Sequence, residues 1–328
     1  MQAAIVGIAG PALLDEEAAL FRGAPPAGVI LFARNIQDPA QLRALTRQLR
    51  QSLPEAAVIA VDQEGGRVAR LRPPHWRQHP SAAAIGRLPR PAGLRAAWLT
   101  GALIGLDCAE AGITLACAPV LDLHVAGASD VVGDRSFGVD PAAVAALGAA
   151  QAAGVLAAGV QPVAKHAPGH GRSLVDSHLG LPSIPAGQSL EDDIAPFAAC
   201  AGLPWMMTAH LRYDGFDSAR AGTLSPTVIG HLIRGRIGFQ GVLVSDDLAM
   251  RALSGTPGDL ARQAVVAGCD LALHCTGDPG DAADVLRRVP RAAGPTLARM
   301  AAAKALAASS RIALDGPALQ AERDGLLA

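Results

Sequence analysis

The sequence is short of aromatic rings. Only 3% of its 328 residues are Phe, Trp or Tyr, with a single tyrosine, too few for the stacking platforms that hold single-stranded nucleic acids. Charge is scarce and balanced: 28 Lys and Arg stand against 29 Asp and Glu, with no run of one sign. That balance excludes the basic footprint of a nucleic-acid or polyanion partner. No stretch reaches the ~20 uninterrupted apolar residues of a membrane span. The N-terminal MQAAIVGIAGPALLDEE lacks the basic region of a signal peptide and reads instead as a first strand. The five cysteines, Cys108, Cys117, Cys200, Cys269 and Cys275, form no CxxC pair and sit among small apolar residues. They fit reduced, buried thiols in a cytoplasmic protein better than a thiolate nucleophile or metal ligands.

What the chain has in quantity is apolar surface, 50% of its residues. Short apolar runs recur at residues 3–8, 28–32, 57–61, 114–118, 160–164, 205–208, 242–244 and 271–274. They are apolar throughout rather than alternating, as parallel strands covered on both faces require. Helix-compatible segments lie between them, clearest at 39–49, 93–110, 141–158, 190–200, 226–234 and 259–267. Asp38-Pro39, Asp140-Pro141 and Ser225-Pro226 each put a capping residue before a proline at the first helical position. Gly159, Gly202 and Gly268 stand where helices should end. About eight strand–helix units predict an α/β fold closed as a single-domain (β/α)8 TIM barrel over residues 1–328. An open doubly wound sheet is the competing arrangement. The Ala-rich tail after Pro290 is expected to help cover the barrel, with residues from about 313 loose.

The polar residues gather at strand ends. Asp62 closes the third strand and Asp122 follows the fourth. Lys165 and His166 end the fifth, His210 the sixth, Asp246 the seventh and His274 the eighth. In a parallel barrel these ends share one rim, the face where such barrels keep their sites. Each residue alone could cap a helix or satisfy a buried polar group; seven together, at six strand ends, are hard to assign to stability.

The densest polar stretch is residues 163–182, VAKHAPGHGRSLVDSHLGLP. Its Asp176-Ser177-His178 step can set a carboxylate against an imidazole, fixing its tautomer and raising its basicity. Asp246, where an apolar strand breaks into SDDLAM, suits a nucleophile or general base, although Asp246 or Asp247 could instead cap the next helix. Asp247 is the better placed for capping. Arg70, Arg135 and the Lys165–His166 pair are candidate substrate holders, each arginine having a surface ion pair as its alternative. VDQEGGRVARLR, residues 61–72, also puts Asp62, Glu64 and Arg67 after the third strand. His166, His170, Asp176 and His178 could ligate a metal, but their spacing is not HExxH and Lys165 would oppose a cation.

VDQEGGRVARLR, GDRSFG, KHAPGHG, VDSH and SDDLAM occur in the order and spacing of the bacterial β-N-acetylglucosaminidases of glycoside hydrolase family 3, which this chain resembles from residue 28 to residue 275. The resemblance implies a single (β/α)8 barrel that works in the cytoplasm on peptidoglycan recycling. It implies a retaining exo-hydrolase, EC 3.2.1.52, that removes β-linked GlcNAc from GlcNAc-1,6-anhydroMurNAc with or without peptide. In that family's terms Asp246 is the nucleophile, His178 the acid/base and Asp176 its partner. Asp62, Arg70, Arg135, Lys165 and His166 hold the sugar. No metal or other cofactor is implied, the partner is a small carbohydrate, and the expected state is a monomer. One departure is Ala167, where the family usually has Phe. Asp176 and His178 follow two glycines and an arginine, which suggests a lid that carries His178 to the scissile oxygen. A metal-dependent barrel hydrolase and a catalytically inactive sugar-binding barrel are the other readings.

Overall fold

The structure, a computed structural model, describes residues 1–173 and 180–328. Eight parallel strands close into a barrel: β1 (Gln2–Gly7), β2 (Pro26–Leu31), β3 (Val58–Val61), β4 (Leu115–Ala116), β5 (Gln161–Ala167), β6 (Trp205–Thr208), β7 (Val242–Asp247) and β8 (Leu271–His274). Each strand pairs with its neighbours in sequence, and β1 closes on β8 with Ala4 opposite Ala272. This is the (β/α)8 TIM barrel that the spacing of apolar runs predicts. The strands are buried almost end to end, including all seven residues of β5, because helices cover their outer faces and side chains fill the interior.

Two strands run further than their apolar cores. The fifth was expected to stop at Ala164 and the seventh at Val244; they continue to Ala167 and Asp247. Lys165, His166 and Asp246 are therefore strand residues. The Lys165 N–H bonds the Pro119 carbonyl at 3.1 Å, while the N–H groups of His166 and Asp246 donate to the Asp122 carboxylate and the Thr208 hydroxyl, both at 3.2 Å.

The expected capping chemistry holds the helices. Asp38 accepts from the N–H groups of Ala40 and Gln41 at 2.8 and 2.9 Å. Asp140 accepts from Ala142 and Ala143, and the Ser225 hydroxyl from Val228. Each such cap stabilises its helix by about 1 kcal/mol. Gly159 and Gly268 end their helices with φ of +82° and +121°; Gly202 does not take this conformation. The segment Val228–Arg236 is wound as a π-helix rather than the expected α-helix. It contains Gly230 and Gly235, which bring no Cβ crowding to the wider winding. Helices Arg90–Glu110 and Pro141–Ala157 approach closely: a Cβ on Gly101 would strike the Gln151 carbonyl, and one on Gly154 the Trp98 carbonyl.

Beyond the barrel, helices Gly294–Ser310 and Gly316–Leu327 complete the chain. The second docks on Arg90–Glu110, so the segment expected to be loose is helical and anchored. Arg323 on it is 2% exposed. Its guanidinium reaches His79 Nδ1 at 3.2 Å and the Gln78 carbonyl at 3.3 Å. Among the described residues no helix is long and apolar enough to cross a membrane. All five cysteines are buried and unpaired.

Candidate active site

The C-terminal ends of the strands surround a cleft of about 180 Å³, lined among others by Phe32, Asp62, Glu64, Arg135, Lys165 and Asp246. Pockets for drug-sized ligands usually hold ~300–1,000 Å³, so this one suits a single ring. Arg70 and His166 also border it. Thus six expected residues, from β3, β5, β7 and two loops, converge as the rim argument requires. Asp176 and His178, and with them the expected lid, lie outside the described residues.

The segment after β3 builds the first wall. Gln63–Gly65 pairs with Val68–Ala69 as a small antiparallel hairpin. Gly65 and Gly66 turn it with φ of +105° and +55°, values that disfavour residues with a Cβ. Extended backbone alternates its faces. Asp62 and Glu64 line the cleft, while Gln63 points away and bonds the backbone of Arg70 and Leu71.

Lys165 Nζ lies between the two carboxylates, 2.9 Å from Asp62 Oδ1 and 2.6 Å from Glu64 Oε1. Burial opposes its charge, but Asp62 and Glu64 outweigh that and hold the ammonium firmly protonated. Among the described residues these two contacts use two of its three N–H donors. Arg135 makes a two-pronged pair with Glu64, both contacts 2.8 Å. Burial would raise the Glu64 pKa, yet Arg135 and Lys165 drive it well below the usual carboxylate range. Arg70 reaches Asp62 Oδ2 at 3.1 Å, and its buried Nε has no protein acceptor among the described residues. The Arg70 and Arg34 guanidiniums both lie near the Phe32 ring, 5.3 and 4.9 Å from its centroid, within cation–π reach. Arg34 is fixed by the carbonyls of Ile8 and Cys275, so Phe32 is a firm backing for Arg70.

Asp246 closes the cleft from β7. Its Oδ1 accepts from the Asp247 N–H at 2.8 Å, and among the described residues Oδ2 has no protein donor and faces the cleft. Burial pushes its pKa up, but the imidazoles of His166 and His210, the Asp247 N–H and Lys165 bring it down to about 2. Asp247 behaves differently. Its Oδ1 accepts from the N–H groups of Ala249 and Cys275, both at 3.0 Å, tying the end of β7 to β8. Burial and the Asp246 charge raise its pKa.

Two rim histidines are committed to the scaffold. His210 Nε2 donates to the Asp247 carbonyl at 2.8 Å, and Nδ1 meets the Thr223 hydroxyl at 2.8 Å. His274 Nε2 meets Thr276 and Asp281 at 3.1 and 3.3 Å. Arg67 pairs with Asp134 at 2.9 Å while 44% exposed, the surface role weighed against it. Arg172 pairs with Asp193 at 2.5 Å, and the Tyr213 hydroxyl donates to the Gly169 carbonyl. Ala167 is fully buried in β5. Glu64 and Asp122 were visible as polar residues near strand ends but carried no assigned role; in the structure both are buried centres of the network.

A family model for the glycosyl hydrolase family 3 N-terminal domain matches residues 10–294. The chain belongs to glycoside hydrolase family 3. It is therefore a glycoside hydrolase, and its relatives in the family are β-hexosaminidases. It is 42% identical to a β-hexosaminidase from Alkalilimnicola ehrlichii, over 87% of this chain and 84% of that protein. It is 40% identical to another from Aromatoleum aromaticum, over 87% and 82%. The structure of NagZ from Neisseria gonorrhoeae in complex with N-trifluoroacetyl-D-glucosamine superposes with a TM-score of 0.87 and 32% identity, covering all of this chain and 98% of that one.

Proposed function

We propose that the cleft binds the non-reducing β-linked GlcNAc of peptidoglycan fragments, and that the protein removes it as a retaining exo-β-N-acetylglucosaminidase. One observation carries this reading: a carboxylate held ionised at a strand end, with a free oxygen facing a one-ring cleft walled by paired cations. Retaining glycosidases need an ionised nucleophile beside the anomeric carbon. A pKa of about 2 keeps Asp246 charged at any physiological pH.

Asp62 offers carboxylate oxygens to sugar hydroxyls. Lys165, Arg70 and Arg135 offer N–H groups left over from their pairs with Asp62 and Glu64, and His166 borders the same ring. Because the cations are pre-paired, little ordering is needed when sugar arrives. Asp246 attacks the anomeric carbon as the bond to the leaving oxygen breaks. His178, with Asp176 as its partner, gives that oxygen a proton. His178 then takes a proton from water, whose oxygen displaces Asp246 and releases GlcNAc with its β configuration. A histidine suits this double role because its unperturbed pKa of ~6.5 lies near working pH. The bound N-acylglucosamine in the gonococcal relative supports the choice of sugar. The aglycone is anhydro-N-acetylmuramic acid with or without peptide, and the setting is cytoplasmic cell-wall recycling.

The test is product analysis with GlcNAc-anhydroMurNAc and with chitobiose, each with and without phosphate and with a chelator. Free β-GlcNAc from the first, unaffected by chelation, is expected. No cleavage of either disaccharide, or activity abolished by the chelator, would reject the reading. Asp246→Asn should lower turnover of an aryl N-acetylglucosaminide by at least ~10⁴-fold, on the scale of other nucleophile removals; near-normal turnover would remove Asp246 from that role.

A further inference from the structure

Behind the sugar-facing residues lies a carboxylate with no part in the scheme above. Asp122 follows β4 and is 1% exposed. Its Oδ2 lies 2.7 Å from His166 Nδ1 and 3.2 Å from the His166 N–H, and its Oδ1 accepts from the His170 N–H at 2.7 Å. Its carbonyl accepts from the Ser136 hydroxyl at 2.7 Å, next to Arg135. One residue thus ties the end of β5, the loop after it and the loop that delivers Arg135.

A carboxylate of this kind only accepts, so the Nδ1 of His166 carries a hydrogen. On the other side of the ring, Arg135 Nη2 stands 3.4 Å from Nε2. A guanidinium only donates, so Nε2 presents a lone pair there. A second proton on the ring would set donor against donor beside a cation already fixed by Glu64. The ring is sandwiched between an obligate acceptor and an obligate donor, and only one tautomer satisfies both.

We infer that Asp122 is a positioning residue that holds the His166 hydrogen on Nδ1, so that the Nε2 lone pair, occupied among the described residues only by the long 3.4 Å contact to Arg135 before substrate arrives, can pass to a sugar donor instead of facing the sugar with a hydrogen. Its ligand is then a donor group, a hydroxyl or the acetamido N–H. This rests on the proposed GlcNAc site, but the tautomer itself can be read without substrate. In Asp122→Asn the amide NH₂ can donate to Nδ1. The ring would then shift its hydrogen to Nε2, facing Arg135 and the sugar with a donor.

The experiment is ¹⁵N-histidine NMR of the full chain, with the His166 signals assigned by their loss in His166→Ala. Michaelis kinetics on an aryl N-acetylglucosaminide accompany it. Wild type should show the Nδ1–H tautomer, and Asp122→Asn the Nε2–H form. KM should rise about 10- to 100-fold, as when other orienting partners are removed, with kcat changed far less because ground-state holding is what is lost. In a His166→Ala background, Asp122→Asn should change KM by less than about twofold, since its route of action is gone. An Nε2–H or doubly protonated His166 in wild type overturns the inference, even if the Asn variant fails to fold. So does an equal KM penalty in both backgrounds. Failure of wild type to cleave any GlcNAc substrate would instead reject the proposed function and leave the tautomer result standing.

Discussion

Glu64 offers the sharpest test of how the cleft is held together. Its carboxylate is 6% exposed and accepts two contacts from Arg135 and one from Lys165, at 2.8, 2.8 and 2.6 Å. Hydrogen bonds to charged groups are worth about 1.5–3 kcal/mol each. Glu64→Gln keeps the shape and one acceptor oxygen but turns the other into a donor facing a cation. Arg135 would then lose its carboxylate partner, and Lys165 would keep only Asp62, which Arg70 already shares. Removing one partner of a buried ion pair typically costs about 3–5 kcal/mol, and that is the expected loss in urea or guanidinium unfolding at pH 7. Arg135 would also lose the pair that fixes its plane, so KM for a GlcNAc substrate should rise by at least ~10-fold. The charge matters as well as the shape. Because the Glu64 pKa is depressed in the fold, its contribution is present above the ordinary glutamate value and lost as pH falls below it. The stability gap between wild type and Glu64→Gln should therefore narrow towards pH 3. A variant within about 1 kcal/mol of wild type at pH 7, with unchanged KM, would show that the ion cluster is not what positions Arg135.

Three further outcomes follow from the described contacts. Burial lowers the His170 pKa from 6.5 to about 4, so the unfolded chain takes the proton first as pH drops. Stability should fall on the order of 3 kcal/mol between pH 6.5 and 4 from this group, and His170→Gln should flatten that slope in denaturant titrations; an unchanged slope would contradict a buried neutral ring. Phe32→Leu removes the aromatic face behind Arg70, worth about 1 kcal/mol, and should raise KM roughly fivefold with kcat preserved; unchanged KM would show that Asp62 alone holds Arg70. Ala167→Phe introduces an aromatic ring at a fully buried strand position and should destabilise by about 1–3 kcal/mol through overpacking; thermal unfolding at or above the wild-type temperature would reveal space that the packing does not show.

The barrel was legible because its signal is redundant. Eight apolar runs alternating with helical segments leave little choice of closure, and a single misplaced end does not alter the count. The ends were harder. An apolar criterion stops at the first polar residue, so β5 was cut before Lys165 and β7 before Ser245, although both strands carry on into the cleft. The same rim logic that found Asp62 and Asp246 over-reached at His210 and His274. Their hydrogen-bond partners, Thr223 and Asp281, come from other segments that no local pattern names. Glu64 did leave a trace, since Asp62 and Glu64 are two residues apart and extended backbone sends such positions to one face. Nothing in the sequence extends the strand period past Val61. Asp122 left none beyond its place after a strand, because its donors His166 and His170 lie more than forty residues away.

The C-terminal helix bears on the order in which this protein becomes an enzyme. Arg323 grips His79, whose carbonyl in turn accepts from the Gly66 N–H at the turn of the Glu64 hairpin. On the ribosome, every strand and every residue lining the cleft has been made by Cys275, yet the brace behind that hairpin arrives only 48 residues later, with Arg323. A nascent chain can thus complete the ring of strands well before the Glu64 hairpin is supported. Synthesis of helix Gly316–Leu327 then adds the support behind that hairpin, and a chain that stops short of Arg323 would carry the described cleft residues without it.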